Sequence, residues 1–169
     1  MPKKIKDSTE DKVTKGNKGE WSELYAFLHA LITGRLKEKD RIDHTVIMLS
    51  RSEGGQDIEY HLLGNNNILN SKMGAVNISH LMHKLPIFLE EIKNGKGSFI
   101  CPEISSAMND LGIKRIKSAA SNKDDFKIQI KGDKLQGFNV KSEIGSSAGI
   151  INASTHTNFV YEIISDLSD

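Results

Sequence analysis

The most constraining feature of this sequence is an alternation of apolar and polar residues between positions 126 and 141. The apolar members of its first run are Phe126, Ile128 and Ile130, and those of its second run are Phe138 and Val140. A Gly-Asp pair between the two runs has the composition of a tight turn. Because a period of two residues puts alternate side chains on one face of a strand, the pattern predicts a β-hairpin with one buried face.

Other patterns predict helices and further strands around this hairpin. Helical spacing of apolar residues predicts a first helix that begins near Asn17 and ends at Gly34. Pro86 lies inside a later helical pattern, so that helix should be kinked, or two helices should abut. Two strands of a hairpin are expected at 44–49 and 58–63, followed by an asparagine loop at 65–67. The helical pattern that contains Pro86 spans 78–93. A further helix is expected at 103–111 and a last strand at 157–164. Together they predict an α/β domain in which helices flank a mixed central sheet, with the first helix beside the hairpin.

Composition excludes several classes of protein. The chain has 169 residues, of which 37% are hydrophobic and 27% charged, so it has enough apolar material for a core. A single cysteine excludes an internal disulfide framework. No apolar run is long enough to span a bilayer, and no secretory signal follows the first lysines, so a cytoplasmic protein is expected. We expect a mobile basic arm over residues 1–16 and one catalytic-type domain over 17–169.

Basic residues are concentrated in one stretch although the formal net charge is only +1. Residues 114–141 carry eight lysines and arginines against three aspartates. A local excess of this kind attracts a polyanion more effectively than net charge does. An ordinary solvated face is the alternative that charge alone leaves open.

A carboxylate begins the first strand of the predicted hairpin, and a lysine lies on the second strand. Asp125 directly precedes Phe126, and Lys141 is out of phase with the apolar Val140. Hydrolysis of a phosphodiester needs such groups to converge, because a carboxylate-bound divalent cation offsets phosphate charge and an ammonium group stabilises the transition state. This is the layout of the PD-(D/E)XK nucleases. Spacing alone leaves open that both residues are ordinary solvated strand residues.

Three separated runs carry a resemblance to one family. They read Asn-Lys-Gly-Glu-Trp-Ser-Glu-Leu-Tyr, Gly-Phe-Asn-Val-Lys-Ser-Glu-Ile-Gly-Ser and Ile-Asn-Ala-Ser-Thr-His-Thr-Asn-Phe, at 17–25, 137–146 and 151–159. The acidic strand opening at 123–126 also matches. The chain therefore resembles the HpaII-like type II restriction endonucleases of the PD-(D/E)XK superfamily over nearly all its length after the arm.

The resemblance implies a Mg²⁺-dependent enzyme that cuts double-stranded DNA at a short site, CCGG or a close relative. Family members are longer than this chain, so a short or truncated member is expected, working as a homodimer or with a complementing C-terminal chain. Two alternatives stay open. One is a truncated relative that binds DNA without cutting it, and the other is a structural or toxin-system protein that shares the fold.

The resemblance also implies roles for individual residues. Asp125 is the expected metal ligand, with Asp124 as its rival, and Lys141 is the expected catalytic lysine. Asn139 stands two residues before that lysine, where a carboxylate is usual, and its amide oxygen is a weaker candidate ligand. Glu20 and Glu23 on the first helix are the expected further metal ligands. The expected DNA contacts are Lys123, Ser142 and Ser146.

Ordinary structural roles compete with several of these assignments. The two glutamates also suit the positive end of a helix dipole. Three aromatic residues of the first helix, Trp21, Tyr25 and Phe27, are expected in the core. The pair His80 and His83 suggests zinc only weakly, since no third ligand has a recognisable spacing. We expect Cys101 to be a small buried or half-buried group.

Overall fold

A computed structural model describes residues 14–36, 45–53, 55–118, 123–142 and 144. Most of the predicted arm, the predicted strand at 157–164 and the candidate DNA contact Ser146 lie outside the described residues.

Within the described ranges, six strands form one sheet. Their bounds in chain order, β1 to β6, are Val46–Glu53, Gln56–Gly64, Asn67–Asn70, Gly74–Asn77, Phe126–Ile130 and Gln136–Phe138. The spatial order is β4-β3-β2-β1-β5-β6.

The α/β architecture is confirmed, but every pairing among the described strands is antiparallel, whereas we expected a mixed sheet. Four of the five pairs join consecutive strands through short turns, which suit antiparallel neighbours because a parallel pair needs a long crossover. The fifth pair, β1 with β5, is antiparallel although the two strands are far apart in the chain.

In the described part of the chain, three α-helices and one 3-10 helix accompany the sheet. The helix α1 spans Lys18–Thr33, between an Asn17 N-cap and a left-handed Gly34 C-cap, as the sequence predicted. The region of Pro86 contains two abutting helices: a 3-10 helix at Ser79–Lys84 and α2 at Leu85–Asn94, with the proline in the first turn of α2. That outcome is one of the two predicted, and it follows from the proline ring, which is tolerated only where a helix begins. The helix α3 spans Pro102–Leu111.

The strands β3 and β4 were missed by the sequence patterns, which indicated only a loop at 65–67. Asn65 and Asn66 form that turn, with φ angles of 49° and 59°, but Asn67 already begins β3. Asparagine tolerates the left-handed region, so a two-residue turn is possible where three asparagines suggested a longer loop. Each of the two strands has only four residues, too few for a clear alternation.

An aromatic row holds α1 against the sheet. The ring of Phe27 lies 5.5 Å from Tyr60 on β2 and 5.7 Å from Phe126 on β5, and Phe126 stacks on Phe138 of β6 at 6.0 Å. Trp21 and Phe27 are fully buried, and Tyr25 packs partly buried against the same core, which confirms the predicted core role of the three residues. The row therefore fixes α1 beside the hairpin that carries the candidate catalytic residues.

The described part of the chain contains no helix that combines the length and the apolarity needed to cross a membrane.

Candidate active site

The first turn of α1 is closed by a reciprocal pair of hydrogen bonds. The backbone N–H of Glu20 donates to Asn17 Oδ1 at 3.0 Å, and the backbone N–H of Asn17 donates to Glu20 Oε2 at 3.0 Å. The other carboxylate oxygen of Glu20 forms an ion pair with Lys117. Both oxygens of Glu20 thus have partners, and the bond with Asn17 stabilises the helix start.

Glu23 lies one turn further along α1, beside Asp125. It precedes Phe27 by four residues and so shares its helix face, while Asp125 directly precedes Phe126. The packing of Phe27 on Phe126 brings this turn of α1 to the start of β5, and the charge of Asp125 acts on Glu23.

The electrostatics of Glu23 reflect this position. Burial raises the pKa of Glu23 above its ordinary value, and the negative charges of Asp125 and then Glu20 raise it further. Arg51 and Lys117 act in the opposite direction, but the net pKa is raised. A half-buried carboxylate next to a second one is the kind of pair that a divalent cation relieves.

Asp125 and its rival Asp124 point to different partners. The Oδ2 atom of Asp125 accepts a hydrogen bond from the Val140 backbone N–H at 2.7 Å. The carboxylate of Asp124 lies instead against Gly137, where a Cβ atom would overlap it. A side chain at 137 would require Asp124 to move. Of the two aspartates, Asp125 is the one whose charge raises the pKa of Glu23.

The chain after β6 is tied to both halves of this carboxylate pair. Val140 bonds to Asp125, and Ser142 Oγ donates to Ser22 Oγ on α1 at 2.9 Å. Lys141 lies between these two anchored residues and is exposed. The strand β6 ends at Phe138, three residues before Lys141, so the lysine is on an anchored extension and not within the strand as predicted.

Arg51 is the charged residue of this region that the sequence analysis missed. It is buried on β1, lies over the Phe27 ring at 5.8 Å, and is 3.8 Å from the equally buried Glu53. A signal was available, because Arg51 and Glu53 are in phase with the apolar Leu49 and so must face the core.

A comparison with protein families matches the HpaII restriction endonuclease model over residues 17–168. The chain belongs to this family. It is 33% identical to the type II restriction enzyme HpaII of Haemophilus parainfluenzae over 165 residues, which cover 88% of this chain and 46% of that enzyme. The chain thus spans about half the length of the curated relative. No solved structure matches it.

Three further candidate residues differ in exposure and in hydrogen bonding. Asn139 is exposed and follows Phe138, so extending the β5–β6 register by one place sets it opposite Asp125. Lys123 is exposed. The Ser142 hydroxyl already donates to Ser22 and accepts from the Ile144 N–H at 3.2 Å.

Two other residues considered from the sequence have local explanations. His80 pairs with Asp110 at 3.2 Å on the surface. Cys101 is fully buried as predicted, and burial raises its pKa to about 12, so it is not a nucleophile at neutral pH.

The donor set at Glu23 and Asp125 suits a hard cation. Within the described ranges, no group of three or more histidine, cysteine or acidic side chains converges as a metal site. Mg²⁺ does not require one, because it is commonly held by one or two carboxylates with water and substrate phosphate as the other ligands.

Proposed function

We propose that this chain provides the catalytic centre of a type II restriction endonuclease that hydrolyses double-stranded DNA. The proposal includes Mg²⁺ dependence and a short recognition site, CCGG or a close relative. One observation carries it: in a member of this family, Glu23 and Asp125 adjoin the anchored extension that bears Lys141. Family membership supports the reaction class, and the specificity follows from the resemblance to the HpaII enzyme.

Glu23 and Asp125 would hold the metal ion. Bound there, Mg²⁺ supplies positive charge that offsets the charge of the scissile phosphate. Asn139 would add an uncharged oxygen opposite Asp125. We prefer Glu23 to Glu20 as the helix ligand because both Glu20 oxygens already have partners, Asn17 and Lys117.

Lys141 would act directly on the reacting groups. Its ammonium group donates hydrogen bonds, so it can orient the attacking water and stabilise the extra charge on phosphoryl oxygens in the transition state. The hydrogen bonds at Val140 and Ser142 hold the backbone on both sides of the lysine and so limit where the ammonium group can reach. The proposed DNA contacts are Lys123, Ser142 and Ser146.

The active unit would contain this chain and a second one. We propose a homodimer or a complementing C-terminal chain, acting in the cytoplasm. The second candidate function is a DNA-binding relative that does not cut. Asn139 favours it, because an amide replaces the carboxylate usual at that position.

A cleavage assay on supercoiled plasmid with CCGG sites, in Mg²⁺ and in EDTA, separates the two functions. We expect nicked or linear product in Mg²⁺ alone, and no product from a plasmid without the site. DNA binding with no cleavage at any Mg²⁺ concentration would favour the inactive relative.

Two variants test the assignment of the site. Lys141→Ala should lower the cleavage rate by about 10²–10³-fold, as expected when a transition-state donor is lost, with DNA affinity nearly unchanged. Lys134→Ala is the matched control, since Lys134 is an exposed lysine in the β5–β6 turn. Cleavage by Lys141→Ala within a few-fold of wild type would remove Lys141 from the mechanism.

A further inference from the structure

A short basic loop follows α3. It comprises residues Lys114–Lys117, in which Lys114, Arg115 and Lys117 are exposed while Ile116 is buried. Among the described residues, no hydrogen-bond or ion-pair partner faces the side chain of Lys114 or Arg115. Several lysines elsewhere are matched by acids, as in the pairs of Lys84 with Glu103 and Lys93 with Glu90.

The basic loop is held from beneath by the buried pair of Arg51 and Glu53. The Arg51 guanidinium donates to the backbone carbonyls of Arg115 and Ile116. Both carboxylate oxygens of Glu53 accept from the Lys114 backbone N–H, at 3.2 and 3.1 Å. These contacts fix the loop through its backbone alone. The exposed side chains of Lys114 and Arg115 are therefore not used to hold the loop.

A buried ion pair is a costly way to hold a surface loop. Desolvation of two charges offsets much of their attraction, so the pair is weak evidence of added stability. Here Arg51 and Glu53 use their hydrogen bonds to set the path of the loop. An ordinary solvated run of lysines would not need that arrangement.

The basic loop also adjoins the candidate active site. Lys117 forms an ion pair with Glu20. Its positive charge acts to lower the pKa of Glu23, although burial and the charges of Asp125 and Glu20 outweigh it. Ile116 packs close to Gly16, just before α1, where a Cβ atom would lie 2.9 Å from Ile116 Cδ1. The loop thus borders the end of α1 that carries both glutamates.

We propose that the basic loop Lys114–Lys117 binds the sugar-phosphate backbone of duplex DNA beside the candidate active site. The proposal rests on the proposed function and adds the surface that positions the duplex. Charge complementarity supports it, because Lys114 and Arg115 are cations that have no partner in the described part of the chain and can bind phosphates. The backbone that carries them is already held in place, so binding costs little backbone conformational entropy. Arg51 and Glu53 are positioning residues for this surface.

The test compares two double variants of the whole chain. Lys114→Gln with Arg115→Gln removes two charges from the basic loop and leaves the Lys117–Glu20 pair intact. Lys131→Gln with Lys134→Gln removes two exposed charges from the β5–β6 turn, at the end of β5 that is farther from Asp125. The readout is the dissociation constant for a fluorescein-labelled duplex containing CCGG, measured by anisotropy in EDTA at several KCl concentrations.

The logarithm of affinity should fall linearly with the logarithm of salt, with a slope of about 0.9 per phosphate contact. We expect the loop variant to reduce that slope by about 1–2 and the control to leave it unchanged. Equal slopes for wild type and the loop variant would overturn the role of the loop while leaving the proposed function intact. Absence of DNA binding by the wild-type chain would overturn both, and thermal unfolding of each variant checks that the fold is retained.

Discussion

Glu23 occupies a position that is unfavourable for a carboxylate. It is half-buried on α1, with the charges of Asp125 and Glu20 near it. A structural role at a helix start would not require such a site, because Glu20 already closes the capping box of α1. Unfavourable electrostatics of this kind are typical of functional sites, which reduce the free energy of unfolding in exchange for function.

The raised pKa of Glu23 has a definite consequence for stability. The folded protein holds the proton more tightly than the unfolded chain, so the contribution of Glu23 to stability falls as pH rises above its ordinary pKa. Ionisation of Glu23 is therefore less favourable in the folded protein than in the unfolded chain. We expect Glu23→Gln to increase the free energy of unfolding at pH 7 by about 0.5–2 kcal/mol, the usual size of one stabilising substitution, and to abolish Mg²⁺-dependent cleavage.

Thermal unfolding between about pH 3.5 and pH 8 checks this sign. The gain should shrink towards zero below about pH 4, where an ordinary glutamate is protonated in both states. Glu90→Gln serves as the control, because Glu90 is exposed and pairs only with Lys93, so no gain is expected. A Glu23→Gln protein less stable than wild type at pH 7 would contradict the account.

At the scale of elements, one side-chain hydrogen bond joins the extension after β6 to α1. Ser142 Oγ donates to Ser22 Oγ, and Ser22 Oγ donates in turn to the Lys18 carbonyl at 2.7 Å. A double-mutant cycle of Ser22→Ala and Ser142→Ala should give a coupling of about 0.5–1.5 kcal/mol in the free energy of unfolding. Cleavage should fall in both single variants, because each loosens the support of Lys141.

The same cycle separates this structural role from a DNA contact. If Ser142 binds a phosphate, Ser142→Ala will weaken DNA binding more than Ser22→Ala does. If its function is to hold the extension, both variants will bind DNA alike and will differ from Ser98→Ala, an exposed control, only in stability and rate. A coupling near zero would show that the bond does not hold the two elements together.

How far the sequence predicted these elements depended on the strength of each local signal. Asn17 and Gly34 set the ends of α1 through capping, and the alternation at 126–130 fixed β5, since both signals are local. The strands β3 and β4 were missed because four residues cannot display a period. For the site, helix spacing left Glu20 and Glu23 equivalent. The structure distinguishes them, because both oxygens of Glu20 have partners while Asp125 acts on Glu23, and a contact as distant in sequence as that of Glu23 with Asp125 leaves no local pattern.

At the scale of the whole molecule, a bound metal should appear as added stability. A ligand that binds the folded state alone raises the free energy of unfolding by RT ln(1 + [L]/Kd), or about 1.4 kcal/mol at ten times Kd. For a chain of this size that corresponds to a rise in Tm of roughly 3–6 °C. Mg²⁺ at Glu23 and Asp125 should produce such a rise, because it would relieve the repulsion that raises the pKa of Glu23.

Asp125→Asn should lose most of this rise, while Asp133→Asn, an exposed acid in the β5–β6 turn, should keep it. The measurement is Tm against MgCl₂ concentration, with KCl adjusted to constant ionic strength so that screening does not imitate binding. The rise should also weaken as pH falls, because protons compete with the metal for Glu23. Equal rises in wild type and Asp125→Asn would place the metal elsewhere, and the same result with intact cleavage would remove Asp125 from the catalytic centre.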